Sequence, residues 1–140
     1  MTAFNLPIQT AIYSELSQDT ALNALVNGRI YDFKPQSSDS GSDSEFPYVT
    51  IGNDFLLQWN NDQKKGVEGT INIHTWSRAR GFHEIKRLQD IIRELFDKRD
   101  EMIVSGLDFV TMDFVDSESF PESDGKTFHG VQSFRILVYK

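Results

Sequence analysis

Cysteine is absent from this sequence, and so is any surplus of positive charge. The first absence excludes disulfides, zinc–thiolate sites and thiol catalysis. The second follows from 14 Lys and Arg against 21 Asp and Glu, a formal net charge of −7. Proteins that bind nucleic acid tightly usually carry a basic face, because much of their affinity comes from phosphate contacts. The charge therefore argues against tight binding of DNA, and it does not exclude DNA that slides past.

Long apolar runs are also missing. No stretch approaches the roughly 18 apolar residues that a membrane-spanning helix needs. The first ten residues, MTAFNLPIQT, have neither the basic start nor the apolar centre of a signal peptide. We expect a protein without membrane association, made and used in the cytosol or in something assembled there.

Sequence motifs for catalysis are scarce. Gly125, Lys126 and Thr127 match only the end of a phosphate-binding loop, since that motif requires a glycine where Phe120 stands and a helix afterwards. No nucleophile elbow of the G-x-S-x-G type occurs, and no two of the three histidines have the spacing of a helical ligand pair. We expect no catalytic, cofactor-binding or metal site. The alternatives left open are a small hydrolase that uses acidic clusters and a monomeric binding module.

The composition indicates one folded domain over residues 1–140. Hydrophobic residues make up 39% of the chain and include 11 Phe, enough for a core, whereas the length leaves little room for a second one. Residues 36–45 differ from the rest, with five serines, three acids and no apolar residue. Such a run cannot offset the entropy of ordering, so we interpret it as a mobile loop inserted in the domain.

Hydrophobic periodicity predicts the order α-β-β-β-α-β-β. Ile8, Ile12 and Leu16 share one face of a first helix, which is expected to break near 17–19. The second helix spans about 81–98. The predicted strands cover 29–33, 48–51 with 55–59 (as two strands or one bent strand), 67–76, 107–116 and 128–139, with a turn over 117–126. This predicts an α+β fold, an antiparallel sheet of about five strands with two helices packed on one face.

Aromatic residues near arginines are the most informative surface candidates. Trp59 and Trp76 fall at predicted strand ends, and Arg78 and Arg80 follow Trp76 at the strand-to-helix junction. Stacking on single-stranded nucleic acid would need more basic residues between the aromatic ones. Aromatic residues and arginines together are typical anchors of subunit interfaces. We therefore predict that these four residues contribute to an interface.

Six segments, taken in order, carry a resemblance to a known family. They are PIQTAIY at 7–13, NGRIYD at 27–32, FPYVTIG at 46–52, GTINIHTWSR at 69–78, the helix start at 81–84 and DGKTFHGV at 124–131. Their order and spacing resemble the phage tail-completion, or tail-terminator, family of siphophages and gene transfer agents. The resemblance covers nearly the whole chain, although the run at 36–45 is longer than expected there.

The resemblance implies a structural protein of the virion, assembled in the cytoplasm of the host bacterium. Subunits are expected to form a homomeric ring, usually of six, at the head-proximal end of the tail tube. The implied partners are the subunit itself, the tail tube protein and the head–tail connector or stopper protein, with DNA passing through the lumen. The family offers no catalytic residues or cofactors to carry over. A neck connector or stopper protein is the alternative within the same class.

Overall fold

A computed structural model describes residues 3–34 and 43–140 of the chain. Its elements, in chain order, are α1 (Asn5–Gln18), α2 (Thr20–Val26), β1 (Ile30–Tyr31), a single 3₁₀ turn (Asp43–Glu45), β2 (Tyr48–Gln58), β3 (Gly66–Ser77), α3 (His83–Phe96), β4 (Asp108–Pro121) and β5 (Phe128–Tyr139). The α+β class and the predicted order of elements are confirmed. Of the predicted loop 36–45, residues 36–42 lie outside the described ranges, and the last three form the 3₁₀ turn.

The first helical segment breaks where the sequence predicts it. Asp19 has an extended backbone, and its side chain accepts the amide of Leu22 at 2.8 Å. An aspartate in this position satisfies one of the free N–H groups at a helix start, which favours beginning a new helix over continuing the old one. Asn27, in the left-handed conformation at φ 52°, ends α2. The prediction of two helices is therefore corrected to three.

The sheet has the order β1-β2-β3-β5-β4. The β2–β3, β3–β5 and β5–β4 pairs are antiparallel, as predicted. The short β1, however, pairs parallel to β2 through Ile30 and Tyr31, so the sheet is mixed. Parallel neighbours need a long connection, and residues 32–47, which include the serine-rich run, connect these two strands. Sequence periodicity could not show the direction of a two-residue strand.

One predicted turn is wrong. Residues 117–121, predicted as the first half of an acidic turn that contains Gly and Pro, belong to β4 and pair with 128–132 of β5. An edge strand with a solvated side carries polar residues without losing its backbone pairing. The true turn is shorter, with the Glu122 amide donating to the Thr127 carbonyl at 2.8 Å. The two segments predicted for β2 form one strand with a bulge between Ile51 and Asp54.

All three helices pack on one face of the sheet. The core joins Leu88, Ile92 and Phe96 of α3 to side chains of α1, α2 and the strands. Phe96 meets Phe134 of β5 edge to face, with ring centroids 5.6 Å apart. In β3 the predicted alternation is confirmed, with Val67, Gly69, Ile71, Ile73 and Thr75 buried on the core side. The opposite side of the sheet is called here the helix-free face.

No helix in the described parts of the chain has the length and apolar character needed to cross a membrane.

A matched pair of substitutions tests the position of the core. Leu88 is fully buried in α3, whereas Leu57 of β2 is 51% exposed. We expect Leu88→Ala to lower the free energy of unfolding by about 2–5 kcal/mol, the usual cost of a buried Leu→Ala change. Leu57→Ala should lower it by no more than about 0.5 kcal/mol. Urea denaturation of both variants measures this, and equal effects would contradict the assignment of the core face.

Candidate functional site

The helix-free face is the broad surface that the helices leave uncovered. Strand register sets its side chains in rows that cross the sheet. One row runs Tyr48–Trp76–His129–Phe120, and a second, near the other end, runs Leu57–Glu68–Leu137–Thr111. The first row is therefore aromatic, and the second contains a mixture of apolar, polar and charged side chains.

Trp76 belongs to a continuous stack of rings at the aromatic end. Its ring stacks on His129 with centroids 3.7 Å apart and on Tyr48 at 5.9 Å. Its indole N–H donates to the Thr50 hydroxyl at 3.2 Å. Phe120 meets the far side of the cluster, edge to face on His129 at 4.9 Å. Trp76 is thus half-buried and held by its own subunit, rather than standing free of it.

Two histidines and a carboxylate form a hydrogen-bonded chain at the same end of the sheet, and one of the histidines, His129, also belongs to the ring stack. His129 Nδ1 lies 2.7 Å from Glu122 Oε1, and His129 Nε2 lies 2.7 Å from His74 Nδ1. A carboxylate only accepts, so His129 donates to Glu122 and its other nitrogen accepts from His74. Gly52 of the β2 bulge makes room for the His74 ring, since a Cβ there would sit 2.2 Å from its Cδ2. The chain ties β3 and β5 to the turn between β4 and β5.

Burial favours the neutral form of both histidines. Burial is the main cause that lowers the pKa of His74, and the neighbouring His129 lowers it further. Burial also lowers the pKa of His129, although hydrogen bonding and attraction from Glu122 oppose the shift. With both rings protonated, two N–H groups would face each other across the 2.7 Å contact. Acid should therefore open this end of the sheet.

Arg78 acts as a clamp within the subunit. Its Nε donates to the Thr127 hydroxyl at 3.1 Å, and its NH1 pairs with Asp43 at 3.2 Å. The guanidinium also lies 4.4 Å from the Phe46 ring centroid, and the side chain is only 5% exposed. Arg78 therefore joins the end of β3, the β4–β5 turn and the segment that leads into β2. Arg80, two residues on, is exposed.

The Gly125-Lys126-Thr127 fragment is a turn rather than part of a phosphate loop. The Asp124 carboxylate accepts the amides of Lys126 at 2.9 Å and Thr127 at 2.8 Å, and the Thr127 hydroxyl at 2.6 Å. These bonds, the hydroxyl first, lower the pKa of Asp124 to about 2. Gly125 adopts φ 75°, a conformation that glycine takes at little cost.

Trp59 lies at the opposite end of the helix-free face. Its ring stacks on Tyr139 with centroids 5.0 Å apart, and its amide donates to the Gly66 carbonyl at 2.8 Å. About ten residues of β3, roughly 30 Å at about 3.3 Å per residue, separate this row from Trp76. The four predicted interface residues therefore do not form one patch. Trp76, Arg78 and Arg80 share one end of the sheet and Trp59 the other.

The predicted interface residues do not include the three large apolar side chains that are most exposed on the strands. Phe55 is 63% exposed and Leu57 51% exposed, both on β2, and Val115 of β4 is 52% exposed. Phe55 and Leu57 stand in one apolar run with Leu56, and Val115 directly follows Phe114, so the local sequence does not distinguish these exposed side chains from core ones. The His74–His129 pair was also missed, because its members lie 55 residues apart. Across the residues that the structure describes, no cluster of three or more potential ligands could hold a metal ion.

Comparison with known proteins gives one family and two similar structures. The family model described as tail completion protein gp17 matches residues 10–139. No curated protein matches. A chain from the virion of the native gene transfer agent (GTA) particle is similar at 22% identity and a TM-score of 0.81, over 95% of each chain. Another solved structure is similar at 11% identity and a TM-score of 0.58, over 99% of this chain and 97% of that one. At these identities the similarity shows the fold alone.

The histidine chain predicts acid-sensitive stability. A pKa lower in the folded than in the unfolded state means that unfolding takes up protons below about pH 6.5. The free energy of unfolding should be fully present above that pH and fall as the pH drops, by at most about 1.4 kcal/mol per pH unit for each histidine. Urea denaturation at pH 7.5 and 5.0 measures this. His74→Gln should weaken the dependence, and His83→Gln, at the exposed start of α3, should preserve it.

A second matched pair separates an internal clamp from an exposed arginine. We expect Arg78→Ala to destabilise the isolated subunit by about 1–3 kcal/mol, because charge-assisted hydrogen bonds in a nearly buried position are lost. Arg80→Ala should change stability by no more than about 0.5 kcal/mol. Thermal or urea unfolding of the purified chain gives both values. An Arg78→Ala protein as stable as the parent would show that the clamp contributes nothing within one subunit.

Proposed function

The chain belongs to the tail completion protein gp17 family of structural phage tail proteins, and from that membership we propose that it is a tail terminator. In this role, subunits form a ring, usually of six, on the head-proximal end of the tail tube. The ring stops tube polymerisation and presents a surface to the head connector. The membership confirms the resemblance found in the sequence, and the observation that carries the proposal is the family match over residues 10–139.

The physical requirement of a terminator is an asymmetric subunit. A tube grows because each ring offers its upper face to the next identical ring. Growth ends when a protein binds that face but does not itself offer an equivalent face to a further ring. This fold meets the requirement, because the two ends of its sheet differ. One end carries the ring stack and the Arg78 clamp, and the other carries the Trp59–Tyr139 pair.

The charge of the subunit supports passage of DNA rather than its capture. The formal net charge is −7, and acidic side chains follow one another along the helix-free side of β4, at Asp113, Asp116 and Glu118. Like charges repel phosphate. A lumen lined by such subunits does not hold DNA tightly, which suits a channel through which the genome has to slide.

Electron micrographs of particles made without this protein test the proposal. We expect tubes that continue past their set length, together with unjoined heads, since nothing occupies the growing end. Loss of a neck connector would instead leave tails of normal length beside separate heads, and loss of an enzyme would leave particles of normal shape. Tail lengths measured over many particles decide among these outcomes. Uniform tails of normal length would reject the terminator role.

A further inference from the structure

The outer edge of β2 is open over most of its length. Within 3–34 and 43–140, its only neighbour on that side is β1, which pairs at Val49 and Thr50. Residues 52–58 therefore present backbone N–H and C=O groups without a strand partner. Phe55 and Leu57, the exposed apolar residues of β2, lie on this open stretch. Rows of unpaired backbone groups beside apolar side chains are a template for adding another strand.

The opposite edge strand of the sheet, β4, is open in its C-terminal part. Arg99 bridges Met112 through two backbone bonds of 2.9 and 3.0 Å, and Asp97 accepts the Phe114 amide at 3.0 Å. Beyond these contacts, and within the part of the chain that the structure describes, residues 115–121 have no strand on the outer side, and the Glu118 carbonyl accepts the side-chain amide of Gln89 at 3.0 Å. Val115 is exposed at the start of this stretch, and Pro121, which lacks an N–H, ends it.

The directions of the strands make the two edges complementary. β2 runs antiparallel to β3, β3 to β5, and β5 to β4. β2 and β4 of one subunit therefore run in opposite directions. If β4 of one copy lies beside β2 of the next, the alternation of the four long strands continues without interruption. Antiparallel pairing is the more favourable arrangement per residue.

We propose that the ring is built by edge-to-edge β-pairing, with 52–58 of one subunit against 115–121 of its neighbour. This proposal rests on the proposed ring-forming role and names the partner of each edge as a second copy of the chain. With the two open stretches centred on each other, Phe55 faces Glu118 and Leu57 faces Asp116. All four side chains belong to rows of the helix-free face, so the pairing preserves the division of the sheet into two faces.

The pairing requires a stagger, and its size suits a closed ring. Phe55 lies in the row of Arg135, and Glu118 in the row of Val131. The neighbour is thus displaced along the strands by about four residues, or about 14 Å at about 3.4 Å per residue. Around the ring, each subunit adds four strand spacings of about 4.8 Å, three internal and one to its neighbour, or about 19 Å in all. This ratio corresponds to a strand tilt of about 35°, within the range of about 35–45° found in closed barrels.

The helices determine which face turns inward. They add a layer to one side of the sheet, and a closed sheet has more room outside than inside. The helix-free face therefore lines the channel, with Asp113, Asp116 and Glu118 of every subunit along it. Identical edges cannot pair with themselves in this arrangement, so the contact is heterologous, and a heterologous contact that closes produces a ring.

Cross-linking tests the pairing cleanly, because the chain has no cysteine of its own. We would introduce Phe55→Cys together with Glu118→Cys and oxidise tails isolated from particles that carry this variant. The two cysteines of one chain lie on opposite edge strands, about 14 Å apart across the sheet and about 14 Å apart along the strands, too far for an internal disulfide. We expect a ladder of disulfide-linked multimers on a non-reducing gel, ending at the size of the ring. The two single variants mixed before assembly should stop at dimers.

Phe55→Cys with Ser117→Cys is the matched control. Ser117 is exposed on the same open stretch, but it pairs with Gln132, so its side chain points to the other side of the sheet. Efficient linkage through Ser117, or no ladder from the first pair, would overturn the edge pairing. Tails of normal length without the protein reject the terminator role, whether or not a ladder forms. Overlong tails without the protein, with no ladder in its presence, uphold the role and reject the pairing alone.

Discussion

The two central strands run side by side without a bulge, from Gly66 opposite Tyr139 to Ser77 opposite Phe128. Their outer neighbours are both irregular, β2 between Ile51 and Asp54 and β4 at two places. The rest of the structure depends on this unbroken ladder. A shift of one residue would move every core side chain of one strand to the opposite face. The buried Ile71, Ile73, Phe134 and Ile136 beneath the helices therefore hold the register, and the register in turn places the helix-free face.

That register brings distant polar residues together at one end of the sheet. His74 meets His129 because their strands are neighbours, and the β4–β5 turn then sets Glu122 against His129. Arg78 connects the same turn to the chain that enters β2. Among the described residues the edges of the sheet have no comparable restraint, since each is covered over only part of its length. The described part of the molecule thus combines a firm centre with two open edges, a distribution that suits the proposed contact with further copies.

Membership in the tail completion family and the arrangement of the sheet both favour a structural role in the phage tail. The helices pack on one face, so the main surfaces left for assembly are the edges, the ends of the strands and the helix-free face. A subunit in a ring needs contacts of three kinds, with its lateral neighbours, with the ring below and with the ring above. The edges and the strand ends provide surfaces for these contacts, and these surfaces face in different directions. The acidic residues on the remaining face leave it suited to an open channel.

The local sequence pattern was sufficient to predict the elements that have a strong hydrophobic period. The alternation of β3, the apolar stripe of α3, the break at Asp19 and the bounds of β5 were all readable in the sequence, because each depends on side chains within a few residues of one another. The family resemblance could be read there too, from short segments in order. These features need no knowledge of which strands are neighbours.

Only the tertiary structure decided the rest. The parallel direction of β1, the extension of β4 through Pro121 and the partners of His74 and Arg78 all depend on segments that are far apart in the chain. So does the difference between an exposed Phe55 and a buried Phe134, both of which are aromatic residues within strands. Sequence period tells which residues share a face. Whether that face is covered depends on where the helices dock, and that is settled by packing across the whole sheet.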